Sequence, residues 1–60
     1  MESELTKIVK QCTELHSAIV QEHYKAEQGN KAAAVRARKA SLDLRVQLAK
    51  YRKKSLEVGK

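Results

Sequence analysis

One interruption, Gly29-Asn30, divides a chain that contains no proline and whose only other glycine is Gly59. Glycine ends a helix by adopting a left-handed conformation, and asparagine starts the next by accepting a backbone N–H bond at its cap. The two long stretches on either side carry no such breaker. The pattern predicts an all-α fold, a two-helix antiparallel hairpin with helices over about 3–27 and 31–57 and a turn at Gln28 to Asn30, forming one domain over 1–60. Composition agrees: 42% of residues are hydrophobic and 33% charged, with Ala, Leu, Lys, Arg and Glu prominent, the usage of long helices rather than sheets.

Apolar residues recur at three- and four-residue spacing in both halves. In the first helix Leu5, Ile8, Val9, Cys12, Leu15, Ile19 and Ala26 form one stripe, with His16, Val20 and His23 along the same side. The remaining Glu, Gln, Lys, Ser and Thr are expected to be solvated. In the second helix Ala33, Ala37, Ala40, Leu44, Leu48 and Tyr51 form the matching stripe, small near the turn and larger beyond it, so closest approach is expected near the turn. On nearly the opposite side Val35, Leu42, Val46, Ala49 and Leu56 make a second apolar line that one hairpin partner cannot cover.

A chain of 60 residues is short for building its own core, and small scaffolds compensate with disulfides, a metal or association. A single cysteine excludes an intrachain disulfide. The second line, Val35, Leu42, Val46, Ala49 and Leu56, is therefore assigned to self-association. A homodimeric four-helix bundle or a higher oligomer would cover both stripes.

The net charge of +6 is divided unevenly. Residues 1–30 hold three Lys against five Glu, net −2, and residues 31–60 hold ten Lys/Arg against Asp43 and Glu57, net +8. Such asymmetry points to a polyanionic partner. Lys31, Arg38, Arg45 and Arg52 follow one another at seven-residue intervals and return to nearly the same azimuth, a cationic row with members about 10.5 Å apart. Arg36, Lys39, Lys50, Lys53 and Lys54 occupy other parts of the same helix. A solubilising flank of a bundle would use alternating signs, whereas this surface is nearly all of one sign and self-repulsive.

These nine residues are the expected contacts to a polyanion, a class that takes in double-stranded DNA and an anionic membrane surface. Double-stranded DNA is the partner expected, bound at its phosphates and without sequence preference. No helix-turn-helix or zinc finger is present to read base edges. The same phosphate chemistry extends to RNA, since nothing here marks a reader of the 2′-hydroxyl.

Other functions find little support. No Gly-rich phosphate loop occurs and no nucleophile has an evident base, so no enzyme activity and no cofactor are expected. Cys12 and His16 have the four-residue spacing of a ligand pair, with His23 on the same side, but a small buried thiol and two rim histidines account for the pattern, and no metal is assigned. No apolar run approaches the roughly 20 residues that span a bilayer, and the start Met1-Glu2-Ser3-Glu4 is acidic where a signal peptide is basic. No membrane association is expected, and the location expected is intracellular.

The run Lys25-Ala26-Glu27, then Gly29-Asn30-Lys31-Ala32-Ala33-Ala34, Arg36, Arg38 and Ser41, and later Tyr51-Arg52-Lys53 with Ser55, resembles the chlamydial linker-histone-like family of nucleoid-condensing proteins and their short bacterial relatives. The likeness covers roughly residues 25–55. It implies a bacterial, nucleoid-associated, sequence-independent DNA-binding protein of the cytoplasm, whose helical amino-terminal region suits self-association. The chlamydial members carry a long Lys/Ala/Pro-rich tail associated with DNA binding, and this sequence has none. Binding then falls to the basic second helix, or the chain keeps the association role alone.

Overall fold

At the turn, Gly29 has φ of +98°, and its N–H bonds to the Ala26 carbonyl at 2.9 Å while Asn30 N–H bonds to that of Lys25 at 3.2 Å. These two bonds satisfy carbonyls that the end of a helix leaves free. The Asn30 side chain then opens the next helix, its Oδ1 accepting the Ala33 N–H at 3.0 Å. The structure is a computed structural model that describes residues 2–58. Met1, Gly59 and Lys60 lie outside the described residues, and with them the expected terminal breaker Gly59. Helix α1 runs Glu4–Glu27 and α2 runs Lys31–Val58, an antiparallel hairpin as the sequence predicts. Ser3 caps α1, its Oγ accepting the Thr6 N–H at 3.1 Å.

The half-buried residues of α1 are Leu5, Ile8, Cys12, Leu15, Ala18, Ile19, Glu22 and Ala26. Apart from Ala18 they alternate strictly by three and four, the 3.5-residue period that keeps two helices facing each other. On α2 the same alternation picks out Ala33, Ala37, Ala40, Leu44, Gln47 and Lys54. Among the described residues only Ala33, at 0% exposure, and Ala40, at 9%, are buried outright. The deepest packing thus lies near the turn, where small side chains let the helices approach.

Several seam assignments made from spacing are corrected. Leu48 is 48% exposed, and the seam takes Gln47 in its place, because the four-residue step from Leu44 overshoots the three-residue step that the alternation requires. Val9 is 46% and Val20 41% exposed, on the flank of α1 rather than in its seam. Tyr51 lies at the edge, at 37%. Glu22, expected to be solvated, sits in the seam with its side chain 17% exposed.

The hairpin measures 47 × 20 × 11 Å and has a radius of gyration of 14.0 Å, against about 10 Å for a compact domain of this length. Its accessible surface is 5021 Å², about 1,000 Å² more than the roughly 4,000 Å² of a globular monomer of its mass.

Substitution at the turn tests this account. Gly29→Ala meets no atom within 4 Å, so its cost is the backbone strain of a positive φ alone, about 1–2 kcal/mol. Thermal melting followed by circular dichroism should show a fall of roughly 4–8 °C per kcal/mol for a domain of this size. In the seam, Leu44→Asp places a carboxylate between the helices and should abolish cooperative melting, whereas Leu48→Asp should retain it. Equal loss in both variants would return Leu48 to the seam.

Candidate nucleic-acid interface

Two ion pairs across the hairpin are placed symmetrically about Gly29. Glu22 and Arg36 lie seven residues either side of it and meet at 3.0 Å, the Arg36 Nε–H donating to Glu22 Oε2. Glu4 and Lys54 lie 25 residues either side and also meet at 3.0 Å. One antiparallel register therefore satisfies both. Lys54 also approaches Glu57, at 3.5 Å. Of the nine cations expected to contact DNA, Arg36 and Lys54 are thus engaged in closing the hairpin.

The other seven, Lys31, Arg38, Lys39, Arg45, Lys50, Arg52 and Lys53, are exposed and have no ion-pair partner among the described residues. Their placement follows from the seam. With Ala33, Ala37, Ala40, Leu44 and Gln47 turned toward α1, the row of Val35, Leu42, Ala49 and Leu56 points directly away. Lys31, Arg38, Arg45 and Arg52 form the neighbouring row on one side, and Ala32, Lys39, Val46 and Lys53 the row on the other. These three adjacent rows contain six cations and no acidic residue. Asp43, Lys50 and Glu57 stand closer to the seam.

The apolar line expected from spacing is exposed in the hairpin: Val35 by 56%, Leu42 by 58%, Val46 by 48% and Leu56 by 72%, with Ala49 exposed between them. Lys31 also runs against the helix dipole. It opens α2, whose first turn has no acidic residue, at the end where the dipole favours negative charge. A bound anion would relieve that mismatch.

Lys7 belongs to the acidic half and is absent from the set that spacing predicts, yet the structure brings it beside the basic end of α2. Glu4, Lys7 and Ile8 face Lys50, Lys53, Lys54 and Glu57 around an open cleft of about 510 Å³. The signal that would have found it is the register: Lys7 stands 22 residues before Gly29 and Lys50 to Lys54 stand 21 to 25 after. Lys10, by contrast, pairs with Glu2, and Lys25 lies 4.0 Å from Glu22.

The residues with metal-ligand spacing are not gathered. No three His, Cys, Asp or Glu side chains converge among the described residues. Cys12 is half-buried, while His16 and His23 are exposed; His23 packs edge-on against Tyr24 at 5.3 Å and lies 3.6 Å from Glu27. No helix among the described residues is long and apolar enough to cross a membrane.

The open end is sensitive to pH. The Lys54 ammonium donates a hydrogen bond to Glu4 and adds its positive charge, holding the Glu4 carboxyl below its ordinary 4.5. The same bond and charge raise Lys54 above 10.5, with Glu57 contributing. A lowered carboxyl stabilises the fold fully above its ordinary value and loses that contribution as pH falls through the lowered one; the raised ammonium contributes fully below 10.5. Protection factors of the amides around residues 50–57, which correct for the intrinsic pH dependence of exchange, should therefore fall on acidification below about pH 4.5. Glu4→Gln should exchange faster at neutral pH and respond less to acid; an unchanged acid response would assign the effect to other carboxyls.

A family model described as Histone H1-like protein Hc1 matches residues 6–60, and so takes in most of α1 as well as the 25–55 region that carries the resemblance. No curated protein and no solved structure matches the chain significantly.

Proposed function

Because the chain belongs to the histone H1-like protein Hc1 family, whose members are structural DNA-binding proteins of the nucleoid rather than enzymes, we propose that it binds duplex DNA through phosphates and bridges or compacts it as a homo-oligomer. The observation that carries this reading is the outer face of α2. Lys31, Arg38, Lys39, Arg45, Arg52 and Lys53 stand exposed there with no ion-pair partner among the described residues, along a helix about 42 Å long, and the nearest acids, Asp43 and Glu57, lie toward the seam. Lys50 and Lys7 extend the charge around the open end.

Contact of this kind neutralises phosphates and releases counterions, with no base edge read. A straight helix with cations about 10.5 Å apart supports a track across the backbone. Bridging requires more than one such helix per particle, and two hairpins joined through Val35, Leu42, Val46, Ala49 and Leu56 would supply it. The surface in excess of a globular monomer, about 1,000 Å², is comparable to the roughly 800 Å² that each partner buries in a standard interface. RNA offers the same phosphates and is bound by the same residues in this reading.

The test replaces Lys31, Arg38, Arg45 and Arg52 together with Gln, which tolerates helix well. Helical content should persist. Affinity for unrelated duplex sequences should fall alike, and the slope of log K against log salt should become shallower by about 0.9 for each phosphate that is no longer neutralised. The fitting control is Lys10→Gln with Lys25→Gln, two cations beside acids, since Lys7 belongs to the basic end. A control that weakens binding as much as the row would move the phosphate path to α1. A stable oligomer with no DNA affinity at physiological salt would instead favour a helical protein-interaction module.

A further inference from the structure

The apolar line and the cations of α2 share one surface. Val35, Leu42, Ala49 and Leu56 run along its centre, and the two flanking rows contribute Lys31, Arg38, Arg45 and Arg52 on one edge and Lys39 and Lys53 on the other. From this juxtaposition we infer that self-association through the outer face of α2 is opposed by its own charge and is released by a polyanion, so that the two events are coupled.

The occupant of the face is a second copy of the chain. Among the described residues only Ala33 and Ala40 are buried within one hairpin, while four large side chains of the outer face remain about half exposed or more. The surface in excess of a compact monomer is of the order one partner contributes to a standard interface. The charge pattern then dictates how the copies meet. An antiparallel pairing of the central rows sets each flanking row against the same row of the other copy, and a parallel pairing sets one row against the other. Either arrangement leaves cations as the sole charges in the flanking rows, four on one edge and two on the other, with the acids Asp43 and Glu57 one row further toward the seam. Like charges juxtaposed in this way disfavour assembly.

A polyanion laid along such an edge touches cations from both copies at once and removes the repulsion that opposed their meeting. Whatever binds the pair better than the single hairpin promotes the pair, and the pair in turn binds it better. Simple salt acts on the same repulsion by screening, since the Debye length shrinks from about 10 Å at 0.1 M to about 3 Å at 1 M. Added salt should thus strengthen self-association while it weakens attachment to phosphates. The coupling rests on the DNA-binding reading only for the identity of the polyanion.

Sedimentation equilibrium of the full chain, without nucleic acid, at about 0.05 M and about 0.5 M sodium chloride separates the effects. The self-dissociation constant should fall roughly tenfold or more at the higher salt, and inorganic polyphosphate at low salt should reproduce the gain. The combined variant Arg38→Gln, Arg45→Gln and Arg52→Gln should associate at low salt unaided and lose most of the salt response. Leu42→Gln, on the central row, should weaken association under every condition without loss of helix.

A mass unaffected by salt, or one that falls with it, would overturn the coupling, as would a combined variant that keeps the wild-type salt response. Binding to phosphatidylserine vesicles that Leu42→Gln abolishes, with no gain of mass at high salt, would assign the face to a membrane surface instead. Fluorescence anisotropy with duplex DNA on the same samples keeps the two readings apart. DNA binding with a salt-indifferent mass removes the coupling alone; salt-promoted association without DNA binding removes the DNA reading and leaves polyphosphate as the coupled ligand.

Discussion

Two helices joined by a short turn can hide only one stripe each, and in this hairpin that stripe is mostly small or polar. Ala33 and Ala40 are the buried residues, Glu22 and Gln47 interrupt the apolar run, and the helix ends are held by Arg36 and Lys54 reaching acids on α1. Exposed pairs of this kind contribute little individually, typically up to about 1 kcal/mol. Their value here is in the register: both are symmetric about Gly29, so a slip of the helices would break both at once and move the alternating seam out of contact.

The thin seam accounts for the outer face of α2. A helix that gives one side to its partner has the rest of its circumference for other purposes, and on α2 that remainder carries an apolar line between two cationic rows. Neither component is explained by the hairpin. The leucines and valines of the outer face are not needed to close it, and apart from Arg36 and Lys54 the cations of α2 form no ion pair among the described residues. Membership of a family of DNA-binding nucleoid proteins supports the proposed contact of the cations with phosphates, and a surface larger than that of a compact monomer supports the proposed self-association through the apolar line.

Segregation of charge between the helices has a structural logic as well. Acids at Glu4 and Glu22 of α1 neutralise two cations of α2, so the residues that lock the hairpin are drawn from the same basic set that faces outward. Arg36 and Lys54 meet acids across the seam, whereas Lys50, also near it, and the six cations turned away from it are exposed and unpaired among the described residues. The division of labour follows azimuth on the helix rather than residue type, with Lys53 and Lys54 adjacent in sequence yet serving opposite sides.

By itself the sequence determined the hairpin, its turn and the basic character of α2. Gly29, Asn30 and the lack of proline are local signals that act through backbone conformation and capping, and they need no tertiary context to be read. The seven-spaced row Lys31, Arg38, Arg45 and Arg52 and the line from Val35 to Leu56 follow from helical periodicity in the same way. What only the tertiary structure decided is which members of each face meet across the seam. Gln47 displaces Leu48 because two helices that stay in contact over their length must keep a 3.5-residue period, and that geometric demand outranks the hydrophobicity of a single side chain. Glu22 entered the seam, Arg36 and Lys54 acquired acidic partners on α1, and Lys7 came beside the basic end, for one reason: antiparallel register brings together residues far apart in sequence, and the charge each one meets there depends on a partner that its own helix does not contain.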